Sequence, residues 1–358
     1  MNRIENTAPL NSSQRLSAPS VSIIVSALNE ALTIEPALKS LLAIDYPQFE
    51  IIVINDRSTD STGQLLDQMA AVDSQLRVQH IQTLPTGWLG KNHAMHLGAQ
   101  RAVGEYLLFT DADISFSKDA LSRAIHYCQT NQIDHLSLIF RVLAKSDVLR
   151  MTLTSFSSAL MARFAPWKVA TSKSHYFGIG AFNLMRRKAY FKSGGHSAIP
   201  MEVLDDIGLG KIIKESGFKQ DVLLGLESIR VEWYPNLKAL VKGLEKNIFC
   251  GFQYRLSFVV AATVITLIVR VWPWIGLFVL SSITSGICLV TILVVLALNA
   301  FLLKKMGWGY RPLIYLPIVG LIDMFIWWRS TVLTLTNGGI SWRGTFYRLA
   351  ELRKAQAK

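Results

Sequence analysis

Cysteine is scarce in this chain of 358 residues, which contains only Cys128, Cys250 and Cys288. Their spacing matches no cysteine-based metal site, and three cysteines offer no complete disulfide framework. We therefore expect a reducing compartment for the polar part of the chain. Charged residues are also few, at 17% against 51% apolar residues. That balance is rich in apolar residues for a soluble enzyme, and most of the excess lies after residue 248.

A long apolar run is missing from residues 1–20, so they do not resemble a secretory signal. We expect a disordered lead-in there, followed by a polar part that stays in the cytoplasm. The net charge of +12 arises from 37 basic and 25 acidic residues. Because the basic residues crowd around the apolar C-terminal segments, they favour membrane flanks and an anionic substrate over nucleic acid.

Short apolar runs alternate with amphipathic stretches between Val21 and about Phe140. The runs predict buried strands, and the stretches near 30–43, 60–72, 91–103 and 118–130 predict helices. This alternation predicts a mostly parallel α/β sheet with helices on both faces, which we expect to fill residues 21–248. The predicted strands are Val21–Ser26, Ile51–Asn55, Arg77–Ile81 and Tyr106–Thr110.

Three of these strands end in polar side chains, where ligands bind in parallel sheets. The first ends at Asn29-Glu30, the second at Asn55-Asp56 and the fourth at Asp111-Ala-Asp113. Two carboxylates spaced i, i+2 at a strand end can face one hard cation, Mg²⁺ or Mn²⁺. The alternative for each of these groups is an ordinary strand-end or turn cap.

An apolar stripe interrupted by basic residues runs through 141–176. It fits equally well a core helix or an interfacial helix that rests on a bilayer.

Residues 249–336 have the composition of membrane segments. Leu256–Val269, extended back to Phe249, and Ile275–Leu303 are each long enough to span, with Arg270–Trp274 as the turn between them. We expect a third segment, Leu313–Trp328, to be broken by Pro317, and it carries Asp323. A full third span would place the basic tail, residues 337–358, outside, so a re-entrant or in-plane arrangement is plausible.

The order of four motifs resembles the inverting glycosyltransferases of family 2, which have the Rossmann-like GT-A fold. The resemblance covers roughly residues 20–250 and rests on Ser26–Glu30, Val53–Thr62, Asp111–Asp113 and Leu204–Gly210. Pro85–Ala94 and Gly338–Tyr347 further resemble membrane-bound members that act on lipids, the hopanoid-associated and carotenoid (diaponeurosporenoate-type) enzymes. The Gln-X-X-Arg-Trp motif of processive polysaccharide synthases does not occur in the sequence.

The resemblance implies a catalytic base at Asp206, with Asp205 beside it. It implies a divalent cation, Mg²⁺ or Mn²⁺, on Asp113 with support from Asp111. The other implied contacts are Glu30, Asp56, Lys91, Asp111 and Arg343 to the donor, and Gly180, Arg187 and Trp342 near the acceptor. Asp205 or Asp206 could instead cap the following helix, and Trp342-Arg343 could instead anchor the tail at an interface.

These features together predict a multi-pass enzyme of the inner membrane with its catalytic domain in the cytoplasm. It would move one sugar from a nucleotide sugar, with uridine diphosphate as the expected carrier, to a lipid. The alternatives are a polyprenyl-phosphate sugar transferase, a polysaccharide synthase and a non-catalytic membrane scaffold.

Overall fold

A computed structural model describes residues 1–279 and 281–356 of the chain. The chain forms two compact units. The first contains Met1–Val142 and Phe164–Val231, and the second contains Leu143–Arg163 and Glu232–Lys358. Residues 143–163 and 232–248 therefore belong with the apolar C-terminal part, which differs from the single domain expected over 21–248.

The first unit is built on one large sheet. Its strands are β1 Val21–Ala27, β2 Phe49–Asp56, β3 Leu76–Ile81, β4 Tyr106–Asp111, β5 Ser115–Phe116, β6 His135–Val142, β7 Asn183–Arg186 and β8 Gln220–Val231. Their order in the sheet is β3-β2-β1-β4-β7-β6-β8-β5. Strands β1 to β4 run parallel to one another, whereas β7 is antiparallel to β4. The mostly parallel sheet and its first four strands are confirmed.

The helices, in chain order, are α1 Ser12–Leu16, α2 Ile34–Leu42, α3 Thr62–Val72, α4 Gly90–Arg101, α5 Ala120–Asn131, α6 Asp147–Phe164, α7 Arg187–Lys192, α8 Gly195–Ala198, α9 Asp205–Glu215, α10 Leu237–Leu244, α11 Ile248–Gly251, α12 Leu256–Thr266, α13 Trp272–Val279, α14 Ser282–Met306, α15 Leu316–Thr336 and α16 Leu349–Gln356.

Helices α4 and α9 pack on the sheet near the strand ends that matter for the site. Ala94 and Met95 of α4 share one buried cluster with Ile24 of β1 and with Leu209 and Ile213 of α9. Every residue of β1 is buried, as expected of a strand covered on both faces. The apolar sequence of β1 thus fixes α4 and α9 in the same layer of the core.

Residues 1–20 do not form the disordered lead-in that the sequence suggested. Ile4 is fully buried, and the Glu5 carboxylate accepts hydrogen bonds from the N–H groups of Glu227 and Ser228, at 2.8 and 3.2 Å. Arg3 pairs with Leu224 of β8. The segment is ordered because the Ile4 side chain is buried and the Glu5 carboxylate accepts hydrogen bonds from two backbone N–H groups of β8.

In the second unit, α6 packs among the apolar helices. Met151 of α6 shares a buried cluster with Leu303 of α14 and with Leu316 and Val319 of α15. The apolar stripe seen in the sequence is therefore a helix of this unit. The tail after α15 forms a hairpin of β9 Gly339–Trp342 and β10 Thr345–Arg348, followed by α16.

Among the described residues, three helices are long and apolar enough to cross a membrane: Leu256–Val279, Ile283–Met306 and Arg311–Thr336. The turn expected at Arg270–Trp274 is wrong, because π-helical residues Leu267–Val271 continue α12 into α13. Pro317 does not break α15 either. It lies in the first turn, where a missing N–H leaves no helical hydrogen bond unmade.

Candidate active site

The loops after β1 and β2 are tied together at the carboxyl edge of the sheet. The Asn29 side chain, on a residue with a φ of 55°, accepts a 2.8 Å hydrogen bond from the N–H of Thr59. The N–H of Glu30 donates to the hydroxyl of Thr62 at 2.8 Å. The Glu30 carboxylate in turn accepts from the hydroxyl of Thr33 at 2.7 Å. These contacts hold Glu30 at the edge where the sequence placed it.

Asp56, at the end of β2, is paired with a residue that sequence reasoning missed. The Arg57 guanidinium donates to the two carboxylate oxygens of Asp56 at 2.7 and 3.1 Å, and Asp56 is fully buried. Arg57 has a φ of 58°, a backbone conformation in the left-handed region. The donor contact expected at Asp56 therefore requires the guanidinium to share or release the carboxylate. The sequence signal was an arginine directly after a strand-end aspartate.

Lys91, in the first turn of α4, joins two acidic segments. Its Nζ atom lies 2.9 Å from Oδ1 of Asp111 and 3.3 Å from Oδ2 of Asp205. Burial alone would lower the pKa of Lys91, but the charges of Asp111, Asp205 and Asp206 raise it above its ordinary value. The side chain is therefore a buried ammonium held among carboxylates.

Asp113 lies in the same acidic region. Burial, together with the negative charges of Asp111 and Glu30, raises the pKa of Asp113 to about 7. Such a carboxyl suits a cation, because a cation would favour its charged form. No group of three histidine, cysteine or acidic side chains within residues 1–279 and 281–356 could by itself hold a metal ion. Asp113 and Asp111 fit a divalent cation only if a substrate or water supplies the remaining ligands.

Asp206, in the first turn of α9, receives two backbone hydrogen bonds. Its Oδ2 accepts from the N–H of Gly180 and its Oδ1 from the N–H of Ile207, both at 2.8 Å. Burial and the neighbouring charge of Asp205 raise the pKa of Asp206, while Lys91 and the two hydrogen bonds lower it. The raised pKa moves this carboxylate toward the range that suits a general base. The N-cap residue of α9 is Leu204, so the bond from the N–H of Ile207 to Asp206 is a contact within the first turn and not an N-cap.

The loop Phe177–Gly180 fits against α9 and β4 only because it carries glycines. A Cβ atom on Gly180 would lie 2.7 Å from Oδ2 of Asp111 and 3.4 Å from Nζ of Lys91. A Cβ atom on Gly178 would overlap the carbonyl oxygen of Asp206. Gly180 therefore lies against the acidic cluster through its backbone, and its role toward the acceptor stays a prediction.

Gln220, at the start of β8, holds this loop through a hydrogen bond and was not predicted from the sequence. Its Oε1 accepts the N–H of Phe177 at 3.1 Å, and its Nε2 donates to the carbonyl oxygen of Gly210 at 3.0 Å and to Nδ1 of His135. Burial lowers the pKa of His135 to about 4, so the ring is neutral and its Nε2–H can donate to Asn183. The network connects the sheet, the glycine loop and α9. A single buried glutamine at a strand start gave no signal in the sequence.

Asn92, next to Lys91, holds the segment that leads into Asp205. Its amide donates to the carbonyl oxygens of Ile199 and Glu202, at 2.8 and 3.0 Å. The N–H of Leu89 donates to the carbonyl oxygen of Pro200 at 2.8 Å. One turn of α4 thus positions both the ammonium and the approach to the acidic pair.

Arg187 does not join this site. Strand β7 runs antiparallel to β4, with Arg186 opposite Tyr106, so Arg187 follows at the other edge of the sheet. Five strand residues of about 3.3 Å each separate that edge from Asp111, a distance of roughly 17 Å. The guanidinium of Arg187 lies over the ring of Phe191 instead. The structure thus places Arg187 away from the acidic cluster, because β7 runs antiparallel to β4, and its acceptor contact stays a prediction.

Trp342 and Arg343 belong to the second unit. Trp342 ends β9 and lies under the ammonium of Lys246, with Nζ 3.9 Å from its ring centre. Arg343 begins the turn of the hairpin, with a φ of 51°. Their roles toward substrate stay predictions.

Comparison with known protein families decides the class of this site. The model of the family "Glycosyl transferase family 2" matches residues 22–208, which include β1, the Asp111–Asp113 motif and Asp206. This chain belongs to that family. It is a family 2 glycosyltransferase, and the acidic cluster lies at the edge of the sheet where the family motifs were recognised.

Curated relatives of this chain share about a quarter of its residues or fewer. A 4,4'-diaponeurosporenoate glycosyltransferase of Staphylococcus aureus (strain bovine RF122 / ET3-1) is 23% identical over 93% of this chain and 89% of its own length. One from Staphylococcus haemolyticus (strain JCSC1435) is 24% identical over 65% of this chain, and the match spans 62% of that relative.

A solved structure shows the same fold. The mannosyltransferase PcManGT from Pyrobaculum calidifontis, described in complex with GDP-Man and Mn2+, superposes with a TM-score of 0.51 at 20% identity. The match covers 92% of this chain and 89% of that one. The GT-A-like fold of the glycosyltransferase is therefore confirmed.

Proposed function

We propose that this glycosyltransferase moves a single sugar from a nucleoside-diphosphate sugar to a lipid acceptor, with inversion at the anomeric carbon. The observation that carries the proposal is the cluster of four carboxylates around one buried ammonium. Asp111, Asp113, Asp205 and Asp206 surround Lys91 at the carboxyl edge of the sheet. A diphosphate leaving group needs positive charge, from the ammonium or from a cation held by carboxylates. An acceptor hydroxyl needs a nearby carboxylate to take its proton.

The donor end of the proposed site is formed by Asp113, Asp111 and Lys91. A divalent cation held by Asp113 and Asp111 would neutralise charge on the departing diphosphate. The solved relative PcManGT is described with a nucleotide sugar and Mn2+, which supports this choice. Lys91 already faces Asp111 and can turn its ammonium to a phosphate oxygen. Glu30 and the Asp56–Arg57 pair would bind the nucleoside, for which we expect uridine.

The acceptor end is formed by Asp206. Its carboxylate would take the proton of the acceptor hydroxyl while that oxygen attacks the anomeric carbon and the bond to the diphosphate breaks. The N–H groups of Gly180 and Ile207 fix the direction of the Asp206 carboxylate. The neighbouring carboxylate of Asp205 forms an ion pair with Lys91. An acceptor that is already anionic, such as a carboxylate or a polyprenyl phosphate, would need this base less.

The lipid nature of the acceptor rests on two supports. The curated relatives are named for a carotenoid acid, and three helices within the described residues are apolar enough to enter a membrane. We place the catalytic unit on the cytoplasmic side of the inner membrane, where nucleotide sugars are made. Trp342 and Arg343 remain candidates for closing over the substrate.

The test uses membranes that contain the wild-type protein or Asp206→Asn. They are incubated with isotopically labelled UDP-glucose, UDP-N-acetylglucosamine or GDP-mannose, and the lipids are extracted for mass spectrometry. A labelled glycolipid made only by the wild type supports the proposal and identifies donor and acceptor together. A labelled polyprenyl-phosphate sugar, made by both proteins, would replace it with the second transferase reaction. A labelled polymer would replace it with a synthase.

A further inference from the structure

Helix α15 exposes large apolar side chains along one side, which Arg329 interrupts near its end. Residues spaced three, four or seven apart form the lipid-facing stripe, which begins in the turn just before the helix: Ile314, Ile318, Leu321, Phe325, Val332 and Leu335. The opposite side is buried within the second unit and includes Val319, Asp323, Ile326 and Ser330. A helix with one exposed apolar side can either cross a bilayer or lie in its interface. The contacts at the two ends of α15 distinguish these two arrangements.

The start of α15 is held by α6. Arg311 Nε lies 3.7 Å from Oδ2 of Asp147, and Leu316 packs in one cluster with Met151. The hydroxyl of Thr154 also donates to Sδ of Met306, just before this point, at 3.6 Å.

The end of α15 is held by the segment that precedes α12. Arg329 Nε lies 2.7 Å from Oε1 of Glu245, and the N–H of Phe249 donates to the hydroxyl of Ser330 at 3.1 Å. Farther along the tail, Arg353 donates to the carbonyl oxygen of Tyr254 at 3.1 Å.

Both anchoring segments come before the first helix that could cross a membrane. Within the part of the chain that the structure describes, no candidate span precedes Leu256. Asp147 and Glu245 are therefore on the same side of any bilayer as the catalytic unit. A helix whose two ends are fixed on one side does not cross.

We propose that α15 lies in the membrane interface on the catalytic side, with its lipid-facing stripe against the acyl chains and both of its ends in the headgroup layer. The chain then makes an even number of crossings, and the tail returns to the side from which α12 departs.

Charge supports this placement independently. Lys304, Lys305 and Arg311 lie just before α15, and Arg343, Arg348, Arg353 and Lys354 lie after it. If α15 crossed the membrane, the basic residues before it or those after it would lie on the side opposite to the catalytic unit. An interfacial helix keeps both sets beside anionic headgroups on the catalytic side.

The ion pair in the middle of α15 gives a second physical reason. Asp323 accepts from Arg270 at 2.9 Å and also from Ser155 of α6. At the centre of a bilayer such a pair is expensive to bury. At interface depth the pair is less costly, and Arg270 then keeps the first part of Leu256–Val279 at the same depth, beside α15.

The test measures which face of the membrane each end of α15 can be labelled from, in full-length protein in sealed vesicles of both orientations. Tyr310→Cys and Asn337→Cys report the two ends, and Val72→Cys, on an exposed position of α3, reports the catalytic side. The wild-type protein gives the background, because Cys128, Cys250 and Cys288 are buried. A membrane-impermeant maleimide is the probe, and a thermal midpoint equal to that of the wild type shows that each variant is folded.

We expect both α15 positions to react in the same vesicles as Val72→Cys and not in the opposite orientation. Reaction of either position from the face opposite to Val72→Cys would overturn the proposal. The outcome does not depend on the donor or acceptor, so it is separable from the proposed reaction.

Discussion

The backbone N–H of Gly180 donates a 2.8 Å hydrogen bond to Oδ2 of Asp206, while its carbonyl oxygen accepts from the N–H of Asp111 at 3.1 Å. One residue without a side chain thus connects the end of β4 to the first turn of α9. The proposed cation site and the proposed base are therefore fixed relative to each other by a single residue.

Gly180→Ala tests this link. The new methyl group would lie 2.7 Å from Oδ2 of Asp111, so either the carboxylate or the peptide must move. Because the variant displaces the Gly180 N–H without removing it, we expect kcat to fall by about tenfold, less than the roughly 10²–10³ seen when a positioned donor is lost, with a thermal midpoint close to that of the wild type. Gly251→Ala, where a Cβ atom meets nothing within 4 Å, is the matched control. Equal kcat values for the two variants would contradict the link.

Gln220→Met tests the support beneath the glycine loop. The variant keeps the volume but loses the acceptor for Phe177 N–H, so Gly180 is less well held against Asp206. Losing a hydrogen bond to the charged form raises a carboxylate pKa. The acid limb of the plot of kcat against pH should therefore move up by roughly 0.5 to 1 pH unit. This shift corresponds to the net free energy of one hydrogen bond.

The control for Gln220→Met is Tyr46→Phe. That variant removes another buried hydrogen bond, from the Tyr46 hydroxyl to the carbonyl oxygen of Pro19, at the opposite edge of the sheet. It should lower stability without moving the acid limb. If both variants leave the limb unchanged, Gln220 is only a structural residue.

Lys91→Met tests the buried ammonium. Without it, Asp111 and Asp205 lose their shared counter-charge, and the proposed diphosphate loses a cationic contact. We expect kcat/KM for the donor to fall about 100-fold, as for loss of one charge-stabilising group. Lys39→Met removes an exposed lysine paired with Glu35 and should leave kcat/KM unchanged. A Lys91→Met enzyme with the donor affinity and turnover of the wild type would show that the lysine is structural.

Cation binding should be linked to a proton on Asp113. With its pKa raised to about 7, this carboxyl is about half protonated at neutral pH, and a bound cation would displace that proton. The affinity for Mn²⁺ in the presence of UDP should therefore rise as the pH increases toward and through 7, and then level off. Calorimetry in buffers with different ionisation enthalpies should detect proton release, and Asp113→Asn should release fewer protons, leaving only the share that comes from the terminal phosphate of UDP. A Mn²⁺ affinity that is constant between pH 6 and 8 would contradict this assignment.

Much of the first unit followed from local sequence. The apolar runs predicted β1 to β4 because a strand covered on both faces reads as an uninterrupted apolar segment. The polar residues at their ends predicted Glu30, Asp111 and Asp113 on one edge. Lys91 was found because a lysine at the start of a helix is not favoured by the helix dipole and so suggests another purpose.

The features that sequence reasoning missed depend on long-range geometry. The position of Arg187 depends on β7 running antiparallel to β4, which residue patterns at that strand do not encode. Gln220 reaches Phe177 and Gly210 only after the sheet and α9 have assembled. The expected turn at Arg270–Trp274 was wrong because a proline and two tryptophans also fit a continuous helix when a π-helical turn precedes the proline.

The measurement that tests the central claim most directly is a single-turnover assay of Asp206→Asn with the labelled nucleotide sugar and its lipid acceptor. Asparagine keeps the size of the side chain and can still accept from Gly180 N–H, but it cannot take a proton from the acceptor. We predict donor binding within about twofold of the wild type and a transfer rate lower by a factor of about 10³ or more, as for removal of a general base. A transfer rate equal to that of the wild type, with the donor bound normally, would contradict the assignment of Asp206 as the base.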